Sequence, residues 1–87
     1  MRSSQDPALL KAFASELKAQ RALLRISQDE LAFAAGINRT FVAKLELGKT
    51  SLSLSSLFRL ADGLGAEPWE LILAVQQRYD VETLART

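Results

Sequence analysis

SQDELAFAAGINRTFVAKLELGK, Ser27 to Lys49, sets a short apolar stretch, a glycine and a second apolar stretch in succession, and both stretches repeat at helical spacing. Ser27 with Glu30 three residues on is a capping box, in which two orphan backbone donors find side-chain acceptors, so a helix is expected over Gln28 to Ala35. Gly36 ends it, because glycine takes the left-handed conformation that costs other residues about 1 kcal/mol. Asn38 then caps a further helix over Arg39 to Leu47, which turns Val42 and Leu45 inward and stops at Gly48. A connection as short as Gly36 to Asn38 makes the two helices cross steeply. Ala32 is expected at the crossing, where only a methyl fits, with Leu31, Ala35, Ile37, Val42 and Leu45 as the seam beneath.

Outward from this pair the chain reads as more helix. Asp6-Pro7 supplies a cap and a first-turn proline, and Leu10, Phe13, Leu17 and Leu24 follow at helical spacing, so helix 1 should span Pro7 to about Leu23. TSLSLSSL alternates briefly like a strand, but its leucines continue as Leu57, Leu60, Ala61 and Leu64, which is helical. Helix 4 is therefore expected after Ser53, with its stop at Gly63 to Gly65. Glu67-Pro68 opens helix 5, whose stripe is Leu71, Ile72, Val75 and Tyr79, and residues 80–87 read as a polar tail. The expected fold is all-α, a compact five-helix domain with its core over about 7–79 of the single domain 1–87.

Composition excludes much chemistry. At 87 residues with 48% apolar content there is one small core, and with no Cys and no His there are no thiolate or imidazole metal ligands and no Ser-His or Cys-His nucleophile. Asp29-Glu30 lies where a helix N-terminus favours negative charge, and no other acidic pair is poised for acid-base work. Neither enzymatic activity nor a cofactor or metal is expected. The longest apolar run is about five residues, Leu71 to Val75, so no membrane span or signal core is read, and a cytoplasmic setting is expected. Net charge is +1, yet residues 1–50 carry eight Lys/Arg against five Asp/Glu and residues 51–87 three against five. This polarity permits one basic face.

A tight helix pair with a glycine turn is the geometry of a helix-turn-helix unit, whose second helix can enter a DNA major groove, although such pairs also occur in other helical domains. Further residues add weight. Arg21, Ser27-Gln28, Leu31-Ala32, Gly36, Val42, Leu45, Glu46-Leu47-Gly48, Leu57, Leu60-Ala61 and Leu64 together resemble the pattern of phage-repressor-like regulators, the Cro and xenobiotic-response-element class. The resemblance covers about residues 9–75. NRTFV followed by a Gly-Lys loop, with Leu52 where proline is usual, looks most like the restriction-modification controller proteins of that class. Two positions depart from the pattern: Arg25 replaces the glycine usual three residues before Gln28, implying some backbone strain, and Leu47 stands where Asn is frequent, removing a backbone contact.

The resemblance implies double-stranded DNA as partner and assigns base reading to Arg39, Thr40 and Lys44 on helix 3. Their chemistry agrees, since Arg can donate twice to guanine O6 and N7, Lys once, and Thr offers a hydroxyl and a methyl suited to thymine. Exposed Arg and Lys on a helix are otherwise only solvated. Gln28, Asn38 and Lys49 are expected on the DNA backbone, with Arg21 and Glu46 as a partly buried structural ion pair. Phe33, Phe41 and Phe58 are read as packing residues, and Trp69 as filling a core gap beside helix 5. Yet Trp69, Ile72, Leu73 and Tyr79 offer more apolar surface than one stripe needs, which marks helix 5 as a homodimer interface unless these residues only close the monomer core. The rival function is a protein-interaction module of the same fold that binds a partner helix, because fold does not fix function. With about a dozen polar residues after helix 5, no small-molecule effector domain is expected.

Overall fold

The computed structural model describes residues 6–84. Five helices follow in order: α1 over Pro7–Leu24, α2 over Gln28–Ala35, α3 over Arg39–Glu46, α4 over Leu54–Leu64 and α5 over Pro68–Leu84. Each start has the cap its sequence supplies. The Asp6 carboxylate accepts from the Ala8 and Leu9 amides, Ser27 and Glu30 form the reciprocal box, Asn38 accepts from the Thr40 amide at 2.7 Å, and Ser53 accepts from that of Ser56. At α5 the Glu67 amide donates to the Glu70 carboxylate. These contacts satisfy donors that would otherwise face water or nothing.

α1 packs along α5 and touches α3 and α4, while α2 lies against both α3 and α4. The interior is filled by Leu17, Leu31, Val42, Leu45, Leu60 and Leu71, all fully buried and drawn from every helix. Each such side chain stabilises the fold by about 1.5 to 3 kcal/mol relative to exposure. No described helix is long and apolar enough to cross a membrane.

Gly36 has φ +68°, and the Ile37 amide closes the turn on the Ala32 carbonyl at 3.0 Å. A close approach that enforces a small residue also occurs between α2 and α4. Ala32 is buried in the core, and α2 rests on Gly63 of α4: a Cβ added there would stand 3.0 Å from both Cβ and N of Ala35. Gly63 is thus an interior residue of α4, and Gly65 is the stop.

Three other expectations change. α5 continues to Leu84, through most of the supposed tail, and its far end meets α1 through polar contacts beside Tyr79, which packs on the core. Arg78 pairs with Glu16 at 2.8 Å, Lys11 pairs with Glu82 at 3.2 Å, and the Tyr79 hydroxyl donates to Asp6. Residues 85–87 of that tail lie outside the described residues. Trp69 fills no core gap, being 63% exposed, and Phe33 and Phe58 do not pack inside, Phe33 being 91% exposed; Phe41 alone of the three packs on the core. Leu24, expected on the buried stripe of α1, is nearly half exposed at the helix end.

Arg25 does adopt the left-handed conformation, at φ 56°. It is held there by its neighbours: the Ile26 amide donates to the Arg21 carbonyl, and the Arg21 guanidinium donates back to the Ile26 carbonyl at 3.0 Å. One residue clamps the connection from both sides, which offsets the strain.

Gly63→Val tests the α2 and α4 contact. The backbone of Ala35 cannot retreat as a flexible side chain would, so urea unfolding should show a loss of about 2 to 3 kcal/mol from overpacking. Unchanged stability would mean that α2 and α4 are not in contact at this point.

Candidate nucleic-acid interface

α3 divides its residues between two jobs. Val42, Leu45 and Glu46 are buried, whereas Arg39, Thr40 and Lys44 are exposed, and 3.6 residues per turn is what separates the sets. Asn38 and Lys49, at the two ends of α3, are exposed as well. The five polar residues therefore project from one short helix and its flanks, fixed on an apolar underside. Lys44 and Lys49 make no ion pair among the described residues. Arg39 does: its Nε lies 2.9 Å from Oδ1 of Asp29 on α2. This partner is invisible in the spacing of the residues, because Asp29 and Arg39 meet only once the turn has folded the two helices together.

Beneath the exposed face sits a network that joins three helices. Glu46 Oε2 accepts from Arg21 Nε at 2.8 Å, and its Oε1 accepts from Arg21 Nη2 at 2.9 Å and from the Gln28 amide at 3.0 Å. The pairing of Arg21 and Glu46 expected from the sequence is thus bidentate, with Glu46 4% exposed and Arg21 24%. Gln28 is the unexpected third member, and its side chain is committed to Glu46 by one N–H. Burial pushes the Glu46 carboxyl up, but the bonds from Arg21 and Gln28 and the nearby Arg21 and Lys18 charges outweigh it, leaving Glu46 below its ordinary value of 4.5. The bond to Glu46 raises Arg21 against the opposing effect of burial.

Away from α3 in the chain, Trp69, Ile72 and Leu73 are exposed on α5, at 63%, 45% and 47%. These residues do not close the monomer core. Tyr79 differs: it is half-buried, packs against the core and is bonded to Asp6. Ile72 and Tyr79 also line an apolar groove of about 330 Å³ with Leu9, Phe13, Leu52 and Leu57.

A family model described as helix-turn-helix matches residues 17–71, which brackets the network and both helices of the pair. The chain is 35% identical over 57 residues to a Neisseria hypothetical transcription factor from Neisseria meningitidis serogroup B, covering 66% of this chain and 54% of that protein. It is 32% identical over 47 residues to the control protein C.BamHI of Bacillus amyloliquefaciens, covering 54% of this chain and 58% of that one. The chain spans about half the length of the curated relatives it matches. Among solved structures, the restriction-modification controller protein C.AhdI from Aeromonas hydrophila superposes with a TM-score of 0.69 at 37% identity, covering 71% of this chain and 94% of that chain.

The network has a pH signature. A carboxyl whose pKa is lower folded than unfolded stabilises the fold fully above its unfolded value and loses that contribution as pH falls through the folded one. Thermal unfolding should therefore show stability falling below about pH 4.5. Glu46→Gln should flatten that part of the acid dependence and lower stability at neutral pH by about 1 to 3 kcal/mol. An unaltered acid limb in the variant would mean that other carboxylates account for it.

Proposed function

The chain belongs to the helix-turn-helix family, and from that premise we propose that it is a sequence-specific, double-stranded DNA-binding transcription regulator of the restriction-modification controller type. The observation that carries the reading is the division of α3: Arg39, Thr40 and Lys44 are exposed side by side on a helix whose other side is locked into the core. A helix presented in this way fits the major groove, where base edges offer acceptors to Arg and Lys and a methyl to Thr. Asn38 and Lys49 flank the helix at phosphate positions. Gln28, anchored to Glu46 by one amide hydrogen, keeps the other for a phosphate beside the N-terminus of α2. No step of this reading involves catalysis or a cofactor.

One recognition helix covers only a few base pairs, and specific regulators typically reach about 10⁻⁸ to 10⁻¹¹ M. A homodimer supplies the second reading head. Trp69, Ile72 and Leu73, with Tyr79 at the edge, form its interface in this reading, because the first three are exposed apolar residues clustered in the first two turns of α5, a helix with three acids against one Arg. Two-fold symmetry then requires an inverted repeat with half-site centres about 34 Å apart.

Selection of duplexes from a random pool, followed by sequencing, tests the reading directly: an inverted repeat should be recovered, and salt should weaken its binding. A pool left without any preferred sequence would sink it in favour of a protein partner. On the recovered site, Arg39→Ala or Lys44→Ala should cost about 1 to 3 kcal/mol and relax preference at particular base pairs. Lys49→Ala should weaken all sequences alike and reduce the salt slope. In sedimentation at micromolar concentration the chain should run as a dimer, and the double variant Ile72→Glu/Leu73→Glu as a folded monomer. A dimer that persists with both charges in place would put the interface elsewhere.

A further inference from the structure

Two acids open α2, and only one of them serves the helix. The Glu30 carboxylate accepts from the Ser27 amide and completes the capping box. The Asp29 carboxylate takes no part in the cap and reaches instead to the first residue of the next helix, at 2.9 Å from Arg39 Nε. Both side chains are largely in water, at 73% and 63% exposure, so the pair adds little to stability. Its consequence lies in where it puts the guanidinium.

A guanidinium has three edges of N–H donors, and it can approach guanine either along the Nε edge or end-on through its two terminal nitrogens. Asp29 occupies Nε. The charge contact draws the guanidinium toward α2 by its Nε side and leaves Nη1 and Nη2 as the donors for O6 and N7, the bidentate geometry that distinguishes guanine from adenine. A long side chain otherwise loses rotamer freedom when it binds, and a preset one loses less. We propose that Asp29 is a positioning residue for Arg39, acting through Nε to set guanine specificity from the neighbouring helix. This rests on the DNA-reading role of α3 proposed above. Asp29 also brings a negative charge close to phosphates, so it trades general affinity for discrimination.

The experiment measures binding of the full chain to the duplex recovered from a random pool by the wild type, and to the same duplex with guanine replaced by adenine at the position that Arg39→Ala relaxes. Asp29→Ala should reduce the guanine preference by about fivefold or more, while affinity for unrelated duplexes stays equal or rises. In the Arg39→Ala background the same substitution should change no base preference, and Asp29→Asn, which keeps an acceptor without the charge, should fall between the two. Circular dichroism melting serves as the check that each variant is folded. Asp29→Ala that strengthens every duplex by one factor with preference intact would reduce Asp29 to simple repulsion and overturn the proposal. A preference change that persists without Arg39 would also overturn it, by making Asp29 a reader in its own right. Wild-type chain with no preferred duplex would instead remove the DNA reading itself, and this inference with it.

Discussion

The carboxylate of Glu46 is where the fold and the exposed face meet. A buried charge is costly unless its lone pairs are satisfied, and here Arg21 from α1 and Gln28 from α2 satisfy both oxygens of a residue at the end of α3. The arrangement leaves little latitude. With its last residue fastened to two other helices, α3 is held at one end by charge and along its underside by Val42 and Leu45. Arg21 further grips Ile26, so the α1 to α2 connection is set by the same guanidinium. The C-terminal end of α3 is therefore set by one ion pair and its immediate bonds, its underside by Val42 and Leu45, and the glycine turn at Gly36 permits what these enforce.

Packing completes the restraint from the opposite side. α2 is pressed between the network and α4, and at Gly63 the two backbones come as close as the absence of a side chain allows. Arg59 of α4 reaches the Gly36 carbonyl at 3.3 Å, tying the turn to the same helix. The helix pair is thus a rigid insert between α1 and α4, and α5 stands apart from it, bound chiefly to α1. The two surfaces proposed for DNA at α3 and for a second copy at α5 lie on different elements and so do not compete for the same residues.

Helix positions were legible in the sequence because caps and stops are local: Asp6-Pro7, Ser27 with Glu30, Gly36, Asn38 and Ser53 each fix a boundary within a few residues. The buried stripe was legible for the same reason. What was not legible is tertiary. Nothing in the spacing of Leu24, Phe33 or Trp69 separates an apolar residue that is covered from one that is not, since that depends on which helix lies opposite. The far half of α5 escaped because it meets α1 through polar contacts beside Tyr79, which apolar spacing does not show. Of the candidate site, the exposed set on α3 followed from helical period and resemblance, but the commitments of Gln28 to Glu46 and Asp29 to Arg39 arise between residues 18 and 10 positions apart and leave no periodic trace. Gly63 misled in the opposite sense, because a glycine near a helix end reads as a stop when its real task is to admit a neighbour.

Interleaving on α3 has a consequence for how such a chain can change over generations. Residues 39, 40 and 44 alternate with 42, 45 and 46 around eight residues, so each outward residue can be exchanged while the anchoring ones stay in place. Point substitutions can retarget the helix without touching the core. Insertion or deletion of one residue is a different event, because it rotates everything beyond it by about 100°. A change of that kind within α3 would swing Glu46 away from Arg21 and carry polar residues into the interior at the same stroke. Length of this helix is therefore frozen while its outward vocabulary is free, and under the proposed reading role lineages should diverge by replacing letters, never by shifting the frame.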